Sequence, residues 1–390
     1  SILLSGAVSA LDGNRPVFGY KLDGSSLAAT ITPKQLTVAL QGAVSRAYDG
    51  TTLVSLSADN FNVTGLVANE GLTLNSATGN FASKDVGTGL NVTTEISQVS
   101  FQPNSGTLLS NYIIPTSASG AIGEITPKAL TVALTGTASK AYDGTTSVSL
   151  TPSNFMISGV GSGDSLTVNQ SQGTLASKDA GTNIAVSTTI APADFVAGSG
   201  TLLSNYVLPS TQLSGNIGTV NPKMLTVSLI GTTSRVYDGS LNATLTSQNF
   251  SLSGFVGDDQ LTVTQTQGLY ASKNVGTQIS VSAALSSSNL AASGAALVSN
   301  YALPTTVAGG IGIITPKALT VALTGVASKP YDGLLTVSLP SSNFALSGVA
   351  SGDTLTISQA QGTLASKDVG KDITVTADIS PGSFLAGNGT

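Results

Sequence analysis

Four Tyr-Asp-Gly triplets hold the side chains of this sequence that are best placed to do chemistry. They are Tyr48, Asp49 and Gly50; Tyr142, Asp143 and Gly144; Tyr237, Asp238 and Gly239; and Tyr331, Asp332 and Gly333. An aspartate before a glycine is typical of a turn, because its carboxylate accepts local backbone hydrogen bonds and glycine readily adopts a positive φ. The alternative is that these aspartates are weak Ca²⁺ ligands, as aspartates at the joints of extracellular β-domains can be. We predict that these aspartates form structural turns. Calcium is the alternative, and we expect no cofactor besides it.

Two further acidic positions recur. One lies in Ser-Lys-Asp/Asn loops and comprises Asp85, Asp179, Asn274 and Asp368. Asparagine ligates a cation only weakly, so the change in the third loop argues against calcium there. The other acidic position precedes a predicted strand and comprises Glu70, Asp164, Asp259 and Asp353. Because Glu and Asp differ in reach, we expect solvated turns at this second position and not a coordination cage.

A lysine column allows one covalent alternative, an intramolecular Lys–Asn cross-link promoted by a buried acid. Every copy has a lysine, at Lys84, Lys178, Lys273 and Lys367, and an asparagine, at Asn60, Asn154, Asn249 and Asn343. The other basic column cannot serve, because it contains Arg46 and Arg235. A lysine beside a turn is ordinarily exposed, and we expect that here.

The composition excludes most enzyme chemistry. The 390 residues include no His, Cys or Trp, and only 9% are charged. Imidazole acid–base catalysis, thiolate chemistry and disulfides are therefore impossible. A net charge of −5 argues against nucleic-acid binding, which needs a basic face. No apolar run approaches the roughly 18 to 20 residues of a membrane-spanning helix, and no signal peptide is visible. We predict that the protein is not an enzyme.

The motifs recur at a fixed period. The tyrosines of the triplets are spaced by 94, 95 and 94 residues. A period of this length is that of a small independent domain and exceeds the roughly 20 to 50 residues of solenoid repeats. We therefore divide the chain into the tail of a preceding, divergent unit and four repeats, the last of them truncated: 1–30, 31–124, 125–219, 220–313 and 314–390.

Within each repeat the apolar residues alternate with polar ones. This period of two, as in the segment 130–134, predicts half-buried strands bounded by turn residues. Only single helical turns are expected, as at 151–155 and 191–195. The predicted fold is all-β: a tandem array of antiparallel, immunoglobulin-like sandwiches. No flexible linker separates the repeats, so the last strand of one should pass directly into the first strand of the next and form an elongated rod.

Three segments carry a resemblance to a known family. Residues 125–132 (Ile-Thr-Pro-Lys-Ala-Leu-Thr-Val), 139–146 (Ser-Lys-Ala-Tyr-Asp-Gly-Thr-Thr) and 203–209 (Leu-Ser-Asn-Tyr-Val-Leu-Pro) resemble the YDG/MBG-type repeats of giant bacterial surface proteins. Such repeats occur in filamentous-haemagglutinin-like adhesins, including those exported by two-partner secretion. The resemblance implies an extracellular array that projects an adhesive domain from the cell surface, often within a biofilm matrix. It assigns no binding residue.

Three functions are compatible with these observations. The first is a structural stalk whose partners are its own neighbouring repeats, with exopolysaccharide or other cells bound by distal domains. The second is a polysaccharide- or glycan-binding module in each repeat, although the recurrent aromatics resemble core residues. The third is a homopolymeric fibre: repeat 4 stops before a Ser-Asn-Tyr strand, and residues 1–30 contain an equivalent, Gly19-Tyr20, that could be donated to a neighbour.

Overall fold

A computed structural model describes residues 28–75, 77–104 and 106–387, together with the backbone of four short strands before them. These four are β1 (Ile2–Leu3), β2 (Leu11–Asp12), β3 (Arg15–Pro16) and β4 (Ser26–Leu27). Strand β1 pairs antiparallel with β4, and β2 with β3. The proposed strand equivalent Gly19-Tyr20 lies outside the described residues.

The described residues of repeat 1 form eleven strands and three single 3₁₀ turns. The strands are β5 (Lys34–Gln35), β6 (Thr37–Leu40), β7 (Val44–Ala47), β8 (Leu53–Leu56), β9 (Phe61–Thr64), β10 (Leu72–Leu74), β11 (Ala77–Phe81), β12 (Gly87–Glu95), β13 (Phe101–Pro103), β14 (Tyr112–Ile113) and β15 (Ser117–Thr126). The turns are Ala58–Asn60, Gln98–Ser100 and Leu109–Asn111.

One five-stranded sheet organises repeat 1, in the order β7-β15-β12-β11-β8. Its last strand, β15, lies inside the sheet, antiparallel to β12 and parallel to β7. Three two-stranded pairs complete the repeat: β6 with β9 and β10 with β13 are antiparallel, and β5 with β14 is parallel. Alternate residues of β8 are buried, as the period of two predicts.

Repeat 2 has the same element order. Its strands are β16 (Lys128–Ala129), β17 (Thr131–Leu134), β18 (Ala138–Ala141), β19 (Ser147–Ser149), β20 (Phe155–Ser158), β21 (Leu166–Val168), β22 (Gln172–Leu175), β23 (Gly181–Ile190), β24 (Phe195–Ala197), β25 (Tyr206–Val207) and β26 (Thr211–Asn221), and its 3₁₀ turns are Pro152–Asn154, Pro192–Asp194 and Leu203–Asn205. The single turns expected at 151–155 and 191–195 are thus present.

Contacts divide the chain into two compact units, which share repeat 2. The first comprises Ser1–Gly136, Leu150–Gln172 and Ser187–Gly215; the second comprises Thr137–Ser149, Gly173–Val186 and Asn216–Thr390. The first unit therefore contains repeat 1 with the pairs β16–β25, β17–β20 and β21–β24. The second contains the parallel pair β18–β26 with repeats 3 and 4.

Repeat 3 reproduces the sheet of repeat 1. Its strands are β27 (Lys223–Met224), β28 (Thr226–Leu229), β29 (Thr233–Val236), β30 (Asn242–Thr244), β31 (Phe250–Ser253), β32 (Gln260–Val263), β33 (Gln267–Tyr270), β34 (Gly276–Ala284), β35 (Leu290–Ser293), β36 (Tyr301–Ala302) and β37 (Thr306–Thr315), and its 3₁₀ turns are Ser247–Asn249, Ser287–Asn289 and Val298–Asn300. The sheet order is β29-β37-β34-β33-β30, with β37 parallel to β29.

Repeat 4 has seven strands among its described residues. They are β38 (Thr320–Leu323), β39 (Thr336–Ser338), β40 (Phe344–Ser347), β41 (Leu355–Ile357), β42 (Gln361–Leu364), β43 (Val375–Thr376) and β44 (Phe384–Ala386), with 3₁₀ turns at Ser341–Asn343 and Pro381–Ser383. Its main sheet has three strands, in the order β39-β42-β43.

The all-β tandem fold is confirmed, with one difference in strand direction. The described residues contain no α-helix, and no helix there is long and apolar enough to span a membrane. Most strand pairs are antiparallel, but the first and last strands of the main sheet are parallel neighbours. Parallel strands need a long crossover connection, and here nearly the whole repeat supplies it. The expected direct passage between repeats is present where β15 ends at Thr126 and β16 begins at Lys128.

Candidate functional site: the joints between repeats

The aspartate of each Tyr-Asp-Gly triplet closes a turn. Asp49 Oδ1 accepts hydrogen bonds from the Thr51 backbone nitrogen at 2.7 Å and from its hydroxyl at 2.8 Å. Asp143 does the same with Thr145, at 2.9 and 2.8 Å. Each carboxylate also pairs with a basic residue three positions earlier: Arg46, Lys140, Arg235 or Lys329. This arrangement is the one predicted for a structural turn.

The basic partners disfavour calcium at these aspartates. Partial burial works to raise the pKa of Asp143, but the hydrogen bonds from Lys140 and Thr145 outweigh it and lower that pKa to about 2. In each triplet an ammonium or guanidinium group is thus already paired with the aspartate Oδ1, which would otherwise be available to bind Ca²⁺. Among the described residues, no group of three or more acidic side chains could hold a metal ion.

The tyrosine of the triplet contacts the next repeat. Tyr48 Oη of repeat 1 donates a hydrogen bond to Asp164 Oδ2 of repeat 2 at 2.7 Å, and Tyr206 Oη donates to the same oxygen at 2.6 Å. The two rings meet edge to face, with centroids 5.3 Å apart and planes at 81°. Tyr48 is fully buried, and the side chain of Asp164 is only 3% exposed. Two phenols therefore share one buried carboxylate.

Lys84 balances the charge of this cluster. Its Nζ donates to Tyr48 Oη at 3.0 Å and lies 3.8 Å from Asp164 Oδ1. The hydrogen bond to Tyr48 raises the pKa of Lys84 above its usual value, so the amine stays protonated. Burial, followed by the hydrogen bond to Asp164, raises the pKa of Tyr206 to about 12. At neutral pH Lys84 is therefore an ammonium group and Tyr206 a neutral phenol.

A second contact of the same joint uses the Ser-Asn-Tyr motif. Asn205 Nδ2 donates to Asp85 Oδ1 at 2.8 Å, and the Val86 backbone nitrogen donates to Asn205 Oδ1 at 2.9 Å. The hydrogen bond from Asn205 is the main cause of the lowered pKa of Asp85. Asn205 and Tyr206 thus both connect repeat 2 to loops of repeat 1.

The glycine of the triplet allows the backbones to approach. Gly50 has a φ of +85°, and a Cβ at this position would lie 2.2 Å from the Ser162 carbonyl oxygen of repeat 2. The Ser162 nitrogen donates to the Asp49 carbonyl at 2.7 Å. Only glycine is compatible with both the dihedral angle and this contact.

The joint between repeats 2 and 3 repeats this arrangement. Tyr142 and Tyr301 donate to Asp259 Oδ2 at 3.1 and 2.7 Å, with ring centroids 5.4 Å apart. Lys178 Nζ lies 3.5 Å from Tyr142 Oη. Asn300 Nδ2 donates to Asp179 Oδ1 at 2.9 Å.

The joint between repeats 3 and 4 contains part of the cluster. Tyr237 Oη donates to Asp353 Oδ2 at 2.6 Å, and Lys273 Nζ lies 3.9 Å from Asp353 Oδ1. The described residues of repeat 4 include no Ser-Asn-Tyr motif. In the same repeat Tyr331 is 64% exposed, whereas its counterparts Tyr48 and Tyr142 are buried.

The acid position preceding the strand was predicted wrongly. We expected solvated turns at Asp164, Asp259 and Asp353, but these carboxylates are the acceptors at the centre of the joints. In repeat 1, Glu70 accepts from Tyr112 in the corresponding way. The tyrosine partner lies more than one hundred residues earlier in the chain, so comparison within a repeat does not reveal the pairing. The acid and both tyrosines recur with the same period of about 94 residues, and this common period could have indicated that they pair.

The geometry does not support the Lys–Asn cross-link. In repeat 1, Asn60 Oδ1 accepts a hydrogen bond from the Ser57 nitrogen at 2.9 Å, which caps the 3₁₀ turn Ala58–Asn60. Asn60 Nδ2 donates to the Gln41 carbonyl. Lys84 bonds instead to Tyr48 and Asp85. The two side chains share no partner.

Comparison with known proteins agrees with the repeat pattern. A family model described as the YDG domain matches the chain four times, over residues 32–120, 126–213, 221–308 and 315–389. No curated protein matches the chain. The sequence resemblance to YDG-type repeats is thereby confirmed.

Proposed function

The chain belongs to the YDG domain family, and on that premise we propose that its repeats form a structural stalk in a large bacterial surface adhesin. In this proposal the repeats are stiff spacers exported to the cell surface or biofilm matrix. They hold a distal adhesive domain away from the cell, or connect cells within the matrix. The filamentous-haemagglutinin-like, two-partner-secreted architecture is part of the proposal.

The observation that carries the proposal is where the repeated motifs lie. The motifs that recur in the sequence come together in the structure at the joints between successive repeats. At the first joint these are the tyrosine of the triplet, the lysine and aspartate of the Ser-Lys-Asp loop, the acid before the strand, and the Ser-Asn-Tyr motif. A repeated binding module would instead expose its recurrent side chains. The recurrent Tyr48, Tyr142, Tyr206 and Tyr301 are buried and present no aromatic platform to a glycan.

The energetics of the joint favour stiffness. Hydrogen bonds to a charged group contribute about 1.5 to 3 kcal/mol each, and an aromatic pair adds about 0.5 to 1.5 kcal/mol. Asp164 accepts two such bonds in a buried setting, and the tyrosine rings pack directly against each other. A bend at this joint would break both contacts, so the two repeats should move together.

The absence of cysteine is compatible with export and also with a cytosolic location, so export rests on the family resemblance. A chain that crosses membranes unfolded benefits from having no cysteine, and this chain has none. Its low charge and lack of His, Cys and Trp leave little chemistry for catalysis. Because the recurrent tyrosines are buried, the proposal assigns the adhesive chemistry to other domains of the parent protein.

A distance measurement across the first joint tests the proposal. The absence of native cysteine allows spin labels at Ser55→Cys in β8 and Met156→Cys in β20, both exposed. We expect a single narrow distance distribution by electron–electron double resonance in the 390-residue chain. The matched variant Tyr206→Ala should broaden it, whereas Tyr331→Ala should not.

Two results would overturn the stalk. One is a broad distribution in the parent chain that Tyr206→Ala leaves unchanged, because a flexible joint cannot project a tip. The other is specific binding of the whole chain to a polysaccharide on a glycan array. Such binding would favour the alternative in which each repeat is a carbohydrate-binding module.

A further inference from the structure

The first and last segments of repeat 1 run side by side in the same direction. We call residues 34–47 the leading segment and residues 112–126 the closing segment. They pair in parallel near both ends, through β5 with β14 and through β7 with β15. Between these pairs the two segments stay close, because a Cβ on Gly120 would lie 3.0 Å from Leu40 Cβ.

Repeat 3 has the same two segments. Its leading segment is 223–236 and its closing segment is 301–315. β27 pairs in parallel with β36, and β29 pairs in parallel with β37. A Cβ on Gly309 would lie 3.0 Å from Leu229 Cβ, as at the corresponding place in repeat 1. The arrangement is therefore a property of the repeat and not of one joint.

Tension along the chain would slide these two segments past each other. The chain enters the paired region of repeat 1 at Lys34 and leaves it at Thr126, directly before β16 of repeat 2. Because the segments are parallel, these two residues lie at opposite ends of the pairing. A pull on them therefore acts along the strands and loads all the paired residues together. In an antiparallel arrangement the same pull would open the pairs one at a time.

Both segments of repeat 1 are also held by other strands. The closing segment pairs antiparallel with β12 through seven residues of β15, from Ser117 to Ile125. The leading segment pairs antiparallel with β9 through β6. Sliding the closing segment out of the sheet therefore requires that its ladders with β7 and β12 break at the same time.

The tyrosine of the triplet fastens the leading segment to the next repeat. Tyr48 directly follows β7, and its backbone nitrogen donates to the Thr126 carbonyl at 2.9 Å. Its hydroxyl donates to Asp164 of repeat 2 at 2.7 Å. A pull from repeat 2 therefore acts on the leading segment as well as on the closing segment. The two segments can slide apart only after the contact between Tyr48 and Asp164 has broken.

We infer that repeats 1 and 3 bear tension through a shear clamp, which is the parallel pairing of the leading and closing segments reinforced by the tyrosine of the triplet. This inference rests on the proposed stalk, because a stalk whose two ends are attached is under tension when the attachments move apart. It adds a load-bearing function to that proposal. Stiffness alone does not provide this function, since a stiff repeat that unzips from one end would still unfold under a small pull.

Single-molecule stretching of the 390-residue chain in two directions tests the inference. The chain has no native cysteine, and Ile31, Ser110 and Ala129 are exposed, so handles can be attached there. Handles at Ile31→Cys and Ala129→Cys pull repeat 1 along its paired segments. Handles at Ile31→Cys and Ser110→Cys pull at one end of both segments and peel β5 from β14. At equal loading rate, the unfolding force in the first direction should be at least about twice that in the second.

The variant Tyr48→Phe gives a second readout. It retains the ring but removes the donor to Asp164 at the far end of the leading segment. In the pull between positions 31 and 129, the unfolding rate at fixed force should rise at least about tenfold. The pull between positions 31 and 110 should be unchanged. Tyr206→Phe is the matched control, because it removes a bond to the same carboxylate from within repeat 2, and its effect should be clearly smaller.

The outcomes separate the clamp from ordinary stability and from the stalk. Equal unfolding forces in the two directions would overturn the inference, and so would a Tyr48→Phe effect that is the same in both, because a loss of stability alone changes both pulls alike. Equal forces together with a narrow distance distribution across the first joint would remove the clamp and leave the stalk. A high force in the first direction together with a broad distribution would remove the stalk and leave the clamp.

Discussion

At the scale of the residue, one carboxylate organises each complete joint. Asp164 accepts from Tyr48 and Tyr206 through a single oxygen, while Lys84 neutralises its charge. A buried carboxylate without such donors would carry a large desolvation cost. The tyrosines therefore have two roles, since they supply apolar packing through their rings and solvate the acid through their hydroxyls.

Removing one hydroxyl should test this account. We expect Tyr206→Phe to destabilise the chain by about 1.5 to 3 kcal/mol, because it removes a hydrogen bond to a buried charge while retaining the ring. Tyr331→Phe is the matched control, since Tyr331 is largely exposed, and it should change stability by less than about 0.5 kcal/mol. Urea unfolding followed by circular dichroism measures both, and equal effects would refute the role of the joint.

A pair of glycines gives an independent test. Gly50→Ala would place a methyl group against the Ser162 carbonyl at a φ of +85°, whereas Gly333 has a φ of +74° and nothing within 4 Å. Gly333→Ala should cost about 1 to 2 kcal/mol, from the dihedral angle alone. Gly50→Ala should cost clearly more, because it also forces the two repeats apart. Similar losses in thermal unfolding would show that the close approach is unimportant.

The tyrosine hydroxyls also predict the response to alkali. Burial, together with bonds to Asp164 and Asp259, raises the pKa of Tyr206 and Tyr301 to about 12, above the unfolded value of 10.0. A raised tyrosine pKa gives stability that is complete below pH 10 and is lost as the pH rises through about 12. The midpoint temperature of thermal unfolding should therefore decrease as the pH rises from 10 to about 12. Tyr206→Phe should make this decrease smaller. A midpoint that is constant over this range would contradict the prediction.

At the scale of the element, strand β37 shows why the main sheet needs small residues. Its register with β34 is irregular around Ile279, and Gly312 lies beneath the ring of Tyr270. The same relation holds between Gly123 and Phe81 in repeat 1. In both repeats an aromatic ring thus packs across the last strand of the main sheet, at a position where any side chain larger than that of glycine would clash with the ring.

Substitution of this glycine should weaken the sheet locally. Gly312→Ala places a Cβ 2.6 Å from Tyr270 Cε1 and 2.8 Å from the Ile279 carbonyl, so we expect a loss of about 1 to 3 kcal/mol. Gly276→Ala is the control in β34, because its nearest neighbours are at 3.6 Å and belong to a side chain. Differential scanning calorimetry should separate the two variants. A stable Gly312→Ala chain would mean that the ring moves freely.

Local patterns predicted the elements well but did not predict their partners. Alternation in β8 and the turn at Asp49 depend on residues within a few positions, and both agree with the structure. The parallel pairing of β7 with β15 joins residues about eighty positions apart, and no local pattern encodes it. The residues that pair at the joint are farther apart in sequence still, since Tyr48, the partner of Asp164, lies in the preceding repeat. A solvated turn was therefore predicted where the structure has a buried acceptor.

At the scale of the whole molecule, the repeats differ in how completely they are closed. Repeats 1 and 3 each have a five-stranded main sheet, whereas the main sheet of repeat 4 has three strands among the described residues. Amide protection depends on buried contacts and on paired backbone, and both are reduced in an open sheet. We therefore expect the described part of repeat 4 to be less protected than repeat 3.

Hydrogen exchange of the intact chain measures this difference. We expect amides of β39, β42 and β43 to exchange at least tenfold faster than their counterparts β30, β33 and β34, because Val375 and Leu364 are partly exposed while Val281 and Tyr270 are buried. Tyr237→Phe should speed exchange in β41 further, since Asp353 then loses its phenol donor. Strands of repeat 1 supply the internal control and should be unaffected by that variant. Equal protection of the strands of repeats 3 and 4 would contradict this prediction.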